Sequence, residues 1–335
     1  MKVWDLKNKI MSLIVAISII GILFFYFPTL INSRYINNQN LVKPKEKIIG
    51  NSVINELLRK SEQGDMKSQS ELGLLYERGI GVEKDYEKAF YWYKKSSDQG
   101  YAIAQYNLGV LYEHGRGHVR DLQQAKKWYS KSAEQGIEQA EVNLGIIYLE
   151  GVTGTKNYQE AYRLFKSAAH KQNTLAMNNL GYIYRMGLGV PRDDTKAFKW
   201  YEKSAALGSM KARNMLALYY LQEIGHMNID KGKALRLLES SACQGYSVAQ
   251  NNLGLLYSNT TGDFPVDNEK AYAWFSVAFA NGNAEARGLR NKVEAKIALK
   301  ARGRAALLAN IFIDKYPSSK DENDTYKAKD QCKYP

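Results

Sequence analysis

The sequence predicts an all-α solenoid built from short helical repeats, and three observations support this prediction. The octet LGLLYERG at 72–79 returns in five further copies along the 335-residue chain. The six copies begin at 72, 108, 144, 180, 216 and 253, so the period is 36 or 37 residues, which suits a pair of helices. Apolar residues within each copy recur at helical spacing rather than at the alternating spacing of a strand.

The chain is predicted to begin with a membrane anchor. After a lysine-containing flank, residues 1–9, the segment 10–27 runs for eighteen residues without a charge. A helix of that length spans most of the bilayer's hydrocarbon core, which is about 30 Å thick. No small-x-small cleavage motif follows, so we expect an uncleaved signal anchor; a cleaved leader or a buried soluble helix is the alternative. Residues 28–50 hold two prolines and no apolar period, and they are predicted to form a tether.

The repeat array is predicted to cover residues 65–282, behind a capping helix at 51–64. Each repeat divides into a helix A and a helix B. Asp121 and its equivalents are predicted to cap the start of helix B, and Gly136 and its equivalents to end that helix. Glycine recurs inside helix A, as at Gly145, where we expect a tryptophan–tyrosine pair of a neighbouring helix to approach closely.

The chain after the last repeat is predicted to close the array. Residues 283–316 are rich in alanine and leucine and should form one or two helices that cover the last apolar face. Residues 317–335 are polar and are predicted to be a disordered tail. The final two repeats lose the paired glycines that mark the earlier turns between helices A and B.

Most of the net charge of +13 lies outside the predicted array. Residues 1–50 and 283–335 each carry a surplus of five cations, which leaves only +3 for the repeats. A groove that follows a phosphate backbone needs cations along its length, so nucleic acid is not expected as a partner. The two cysteines, Cys243 and Cys332, are not expected to form a disulfide framework, and Cys243 is predicted to be a small core residue.

Motifs of enzymes and of cofactor sites are not found. The sequence lacks HExxH, GxxxxGK[ST], GxSxG and CxxC. The triplets GIG, GRG and GLG at 79, 115 and 187 follow predicted helices, so they are predicted to be turns rather than phosphate-binding loops. His114 and His118 lack a third ligand nearby and are predicted to be loop residues. We therefore expect neither catalysis, nor a cofactor, nor a metal.

The repeat pattern resembles the Sel-one-like repeat, a relative of the tetratricopeptide repeat. The fragments LGLLYERGIGVEKDYEKAFYWY and LGYIYRMGLGVPRDDTKAFKWY carry the resemblance, and residues 271–290 resemble the closing segment of many bacterial members. The resemblance implies a right-handed α–α superhelix whose concave surface is lined by the A helices. It also implies a module that binds proteins. The cysteine pairs of the branch linked to β-lactam-like compounds are missing here.

An asparagine directly precedes the helix A leucine in four of the six repeats. These residues, the asparagine ladder, are Asn107, Asn143, Asn179 and Asn252. An amide side chain can bond both the N–H and the C=O of an extended peptide, as the resemblance to tetratricopeptide grooves favours. Bonds to neighbouring helices are the alternative, and the sequence does not decide between the two.

Together these features predict a membrane-anchored scaffold that binds proteins or peptides on its concave face. Frequent Lys, Asn, Ile and Tyr favour a bacterium, hence the inner membrane with a periplasmic array. Lysines lie on both sides of the predicted anchor, so a cytoplasmic array remains an alternative. Two further alternatives are an envelope enzyme or ligand binder acting on cell-wall material, and an adaptor of the endoplasmic reticulum. Asn259 and Asn323 would be glycosylation sites in that compartment.

Overall fold

A computed structural model describes residues 51–222, 229–258 and 265–318. These residues form fifteen α-helices and no strand, which confirms the all-α prediction. The first helix is α1, Asn51–Glu62. The A helices are α2 Met66–Arg78, α4 Ala102–His114, α6 Glu138–Glu150, α8 Thr174–Met186, α10 Met210–Gln222 and α12 Ser247–Ser258. The B helices are α3 Tyr86–Asp98, α5 Leu122–Glu134, α7 Tyr158–His170, α9 Asp194–Ala206, α11 Lys231–Cys243 and α13 Asn268–Ala280. The closing helices are α14 Ala286–Glu294 and α15 Leu299–Lys315.

Several predictions concern residues that the structure does not describe. The anchor at 10–27, the tether at 28–50 and nearly all of the tail lie outside the described residues, as do Asn259 and Asn323. Among the helices that are described, none combines the length and the apolar character needed to cross a bilayer.

Helix B begins at a capping residue in every repeat. A side-chain oxygen of Asp85, Asp121, Asn157, Asp193, Asp230 or Asp267 accepts a hydrogen bond from the backbone N–H three residues later. The backbone N–H of the same residue donates to the carbonyl of the helix A tyrosine, as from Asp85 to Tyr76 at 2.9 Å. The last two repeats keep this bond, at 3.0 Å from Asp230 to Tyr220 and 2.9 Å from Asp267 to Tyr257, although their paired glycines are missing.

The end of helix B requires a left-handed residue. Glycines with φ between 84° and 98° fill this place in most repeats, but Gln172 adopts φ 65° in the third repeat. A side chain in this conformation costs roughly 1–2 kcal/mol. The third repeat therefore keeps the common backbone path at the expense of local strain.

Helices A and B of one repeat approach closely because helix A carries a glycine. A Cβ added to Gly145 would lie 2.7 Å from Phe165 Cε1, and one added to Gly181 would lie 2.6 Å from Tyr201. The same pairing joins Gly73 to Tyr93, Gly109 to Tyr129 and Gly254 to Phe275. The fifth repeat has Ala217 in place of the glycine, and the facing aromatic residue is replaced by the smaller Leu238. The predicted close approach is confirmed, and the contact involves the second residue of the tryptophan–tyrosine pair.

From the second repeat on, each A helix packs against its own B helix and the B helix before it, and α2 packs against α1 instead. Polar contacts at the start of helix A link it to both B helices: Gln105 Nε2 donates to the Ser97 carbonyl of the preceding repeat at 3.3 Å, and Gln135 Nε2 donates to Gln105 Oε1 of the same repeat at 2.8 Å. The third repeat replaces the two glutamines with an ion pair, Lys171 to Glu141, at 2.9 Å. The residue types change in pairs, so the contact between helices A and B keeps its complementarity.

The closing helices complete the last repeat. Phe312 and Tyr316, at the end of α15, pack against Trp274 with ring centroids 4.8 and 5.2 Å apart. The Tyr316 carbonyl accepts from Asn281 Nδ2 at 2.8 Å, a junction contact that a following repeat would otherwise supply.

One prediction about the core is wrong. Cys243 takes part in a disulfide bond and is half-buried, whereas a free core thiol was expected. The sequence contains one other cysteine, Cys332, which lies outside the described residues.

Candidate interaction surface

The asparagine ladder occupies one equivalent position in α4, α6, α8 and α12. Its four side chains are 4–6 % exposed. The same position holds Glu71, which is exposed, in α2 and Met215, which is buried, in α10. The A helices therefore present a repeated amide that is absent from the first and fifth repeats.

Asn252 and Asn143 of the ladder bond to neighbouring helices, whereas Asn179 Nδ2 donates to the Leu175 carbonyl of its own helix at 2.9 Å. Asn252 Nδ2 donates to Asn214 Oδ1 in the preceding repeat at 2.8 Å. The side chain of Asn143 bonds to the hydroxyls of Tyr106 and Tyr129; burial raises the pKa of both hydroxyls and the Asn143 bond opposes that rise. These contacts are the bonds to neighbouring helices that the sequence analysis gave as the alternative to peptide binding. They do not test whether the same amides also bind a peptide.

Part of the hydrogen-bonding capacity of this face is unused. Within the described residues, the carbonyl oxygens of Asn143 and Asn252 have no hydrogen-bond partner, and neither polar atom of Asn251 has one. Asn251 is fully buried. A buried polar group without a partner costs about 1–3 kcal/mol. Asn143 and Asn252 thus carry buried acceptors at equivalent positions of α6 and α12.

Two carboxylate–tyrosine pairs lie further along the A helices of the first two repeats. Tyr93 Oη donates to Glu77 Oε2 at 2.9 Å, and Tyr129 Oη donates to Glu113 Oε2 at 2.7 Å. Burial raises the pKa of Glu77, and the bond from Tyr93 and the positive charge of Arg116 only partly oppose this. Arg116 Nη1 lies 4.0 Å from Glu77 Oε1. These contacts link helices A and B and do not form a pair of facing carboxylates.

The position of Glu77 and Glu113 varies along the array. It holds Leu149 in α6 and Arg185 in α8, both buried. The sequence analysis missed the carboxylate–tyrosine pairs, although the signal was present: glutamate and tyrosine recur together at a spacing of 16 residues in the first two repeats and in neither the third nor the fourth.

His118 lies among aromatic side chains. The His118 ring stacks on Phe90 with centroids 4.8 Å apart and meets Tyr112 edge-on at 5.2 Å. Its Nδ1 lies 3.1 Å from the Val119 carbonyl oxygen. His114 ends α4. The part of the chain that the structure describes contains no group of three potential metal ligands.

A depression of about 570 Å³ lies along helix α7. Tyr162, Arg163, Lys166 and His170 belong to its lining, and every lining residue comes from this one B helix. Groups from a single helix do not converge on a ligand from several sides, as they do in small-molecule sites. The depression therefore does not indicate a catalytic pocket.

The paired helices, the shared junctions and the repeated A-helix face define this protein as an α-solenoid of interaction-module type. A comparison with known families also shows to which family of α-solenoids the chain belongs. The Sel1 repeat model matches residues 67–101, 102–137, 138–173, 174–209, 211–246 and 247–283. The chain belongs to the Sel1 repeat family, as the sequence resemblance predicted.

Solved structures show the same architecture. A Sel1 repeat protein from Oxalobacter formigenes is 34 % identical, with a TM-score of 0.65, and the match covers 68 % of this chain and 90 % of that one. The protein c5321 is a protective antigen present in uropathogenic Escherichia coli strains and displays an SLR fold. It is 29 % identical, with a TM-score of 0.54, over 79 % of this chain and 64 % of that one. No curated protein matches the chain.

Proposed function

We propose that this protein is a membrane-anchored scaffold that binds extended segments of partner proteins on the face formed by its A helices. The observation that carries the proposal is the asparagine ladder, one amide repeated at the same position of α4, α6, α8 and α12. Membership of a family of interaction solenoids supports it.

The chemistry of the ladder suits a peptide backbone. An extended peptide presents N–H and C=O groups at regular intervals, and an amide side chain can pair with either. Helix packing holds the ladder in place, so binding costs little side-chain entropy.

The test measures peptide affinity. Full-length protein in detergent is screened against an unbiased peptide panel, and the best binder is titrated against the variant Asn143→Ala/Asn252→Ala. Loss of two hydrogen bonds of about 1 kcal/mol each should weaken binding roughly 30-fold. The matched control is Asn291→Ala/Asn310→Ala, which changes two exposed asparagines on the closing helices.

Thermal unfolding of both variants separates lost binding from lost structure, because Asn252 also bonds to Asn214. Equal affinities for wild type and ladder variant, with intact folding, would show that the amides serve helix packing alone.

The anchored and periplasmic parts of the proposal rest on the uncharged segment 10–27 and on Cys243. A disulfide persists in an oxidising compartment such as the periplasm and is rare in the cytosol. Spheroplasts of the expressing cell are treated with a membrane-impermeant reductant and then with a membrane-impermeant maleimide. We expect labelling before permeabilisation. Labelling that requires permeabilisation would place the array in the cytoplasm.

A further inference from the structure

The closing helices present an exposed surface that differs from the repeats. We call it the cap surface and define it by Lys296, Leu299, Lys300, Arg304, Leu307 and Ile311. Leu299 is 81 % exposed, Leu307 is 62 % exposed and Ile311 is 47 % exposed. These are large apolar side chains in water, on a helix whose other face is well packed.

The packing of α15 explains why this face points outward. Ala301, Ala305, Ala309 and Phe312 are buried and follow one another at helical spacing. They hold α15 against α13. Leu299, Leu307 and Ile311 lie at intervals of eight and four residues on the opposite side of the same helix. The cap surface therefore takes no part in the packing that closes the array, and it is not part of the core.

The sequence around the exposed leucines is rich in cations. Seven Lys/Arg residues occur between positions 287 and 304, against one glutamate, Glu294. The cations are Arg287, Arg290, Lys292, Lys296, Lys300, Arg302 and Arg304. Arg304 also bonds to Glu269 at 2.8 Å, and Arg302 Nε donates to the Ile297 carbonyl at 3.3 Å. The local charge is thus strongly positive beside apolar tips.

We propose that the cap surface docks on the anionic surface of a lipid bilayer, with Leu299 and Leu307 inserted among the headgroups and the cations on lipid phosphates. Helices with an apolar face and basic flanks bind membranes in this way. A second copy of the chain would place like charges opposite one another. Nucleic acid would satisfy the cations but would leave the exposed leucines in water.

The test reads the environment of Leu307 directly. The full chain is reconstituted in vesicles of phosphatidylcholine alone or with added phosphatidylglycerol, and an environment-sensitive fluorescent amino acid replaces Leu307. We expect a blue shift of its emission only with the anionic lipid. The same probe in place of Val119, which is 79 % exposed in a turn of the second repeat, should show none.

Charge variants test the cations. Each Lys or Arg near an anionic surface contributes about 1 kcal/mol, so Lys296→Glu/Lys300→Glu should lower the docking equilibrium constant about 30-fold or more. The matched control, Lys67→Glu/Lys199→Glu, makes the same charge change at two exposed lysines of the repeats and should keep the shift. High salt should reduce the shift.

Four results would overturn the proposal. They are no shift with either lipid, an equal shift with both, a shift that grows with protein concentration without anionic lipid, and a shift produced by soluble RNA while vesicles give none. The third result would indicate self-association and the fourth a soluble polyanion. None of these readouts involves the asparagine ladder, so peptide binding can fail or succeed independently.

Discussion

The contact between the helix A glycine and the helix B aromatic residue makes a quantitative prediction. Gly145→Ala adds a Cβ that would lie 2.7 Å from Phe165 Cε1, which is shorter than a normal van der Waals contact. Overpacking of this kind costs about 1–3 kcal/mol. Alanine in place of glycine inside a helix gains about 1 kcal/mol, so the net effect should be a destabilisation of up to about 2 kcal/mol.

Gly288→Ala is the matched control, because this helical glycine is exposed and has no heavy atom within 4 Å of an added Cβ. It should stabilise the protein by about 1 kcal/mol. The difference between the two variants isolates the cost of the contact with Phe165.

The fifth repeat suggests how to relieve the clash, since Ala217 and Leu238 occupy the two positions there. Phe165→Leu alone should cost about 1–2 kcal/mol through the space it leaves. Combined with Gly145→Ala, it should cost less than the sum of the two changes, with a coupling energy of at least about 1 kcal/mol.

Circular dichroism during thermal unfolding of the full chain measures all four proteins. Hydrogen exchange of α6 and α7 is the second readout, because repeat arrays unfold through neighbouring units. An additive double variant, or a Gly145→Ala protein as stable as Gly288→Ala, would refute the packing argument.

Three further predictions concern stability. Gln172→Gly should stabilise by about 1 kcal/mol in thermal unfolding, and Gly100→Gln should destabilise similarly, because both sites have positive φ. Asp121→Ala should cost about 1 kcal/mol through loss of the helix cap; an unchanged melting point would exclude a capping role. Burial raises the pKa of Glu77 above 4.5 in the folded state, so the protonated side chain stabilises the fold at low pH and this contribution is lost as pH rises through the folded-state pKa. Glu77→Gln should therefore reduce the pH dependence of the free energy of unfolding measured in urea titrations.

The features that repeat could be predicted from sequence, because each copy confirms the others. The period, the helix pairs and the caps of the B helices were all visible in this way. Asp65, which caps the first A helix, was missed because, among the described A helices, only Asn173 and Ser209 have the same role elsewhere.

Contacts between repeats were harder to predict. Asn252 bonds to Asn214, 38 residues away, and a side chain's choice among several acceptors depends on packing that a period does not report. The disulfide of Cys243 was missed for a related reason, since a single copy has no counterpart in the other repeats to reveal its partner.

In every repeat the backbone N–H of the helix B capping residue bonds to the carbonyl of the helix A tyrosine. This bond fixes the start of helix B relative to helix A even where the turn between them differs in length. Tyr76 and Asp85 are nine positions apart and Tyr220 and Asp230 are ten positions apart, yet the bond forms in both repeats. Lengthening a loop costs only about 0.6 kcal/mol for each doubling. A connection between helices A and B should therefore accept an added residue without altering the stacking of the repeats.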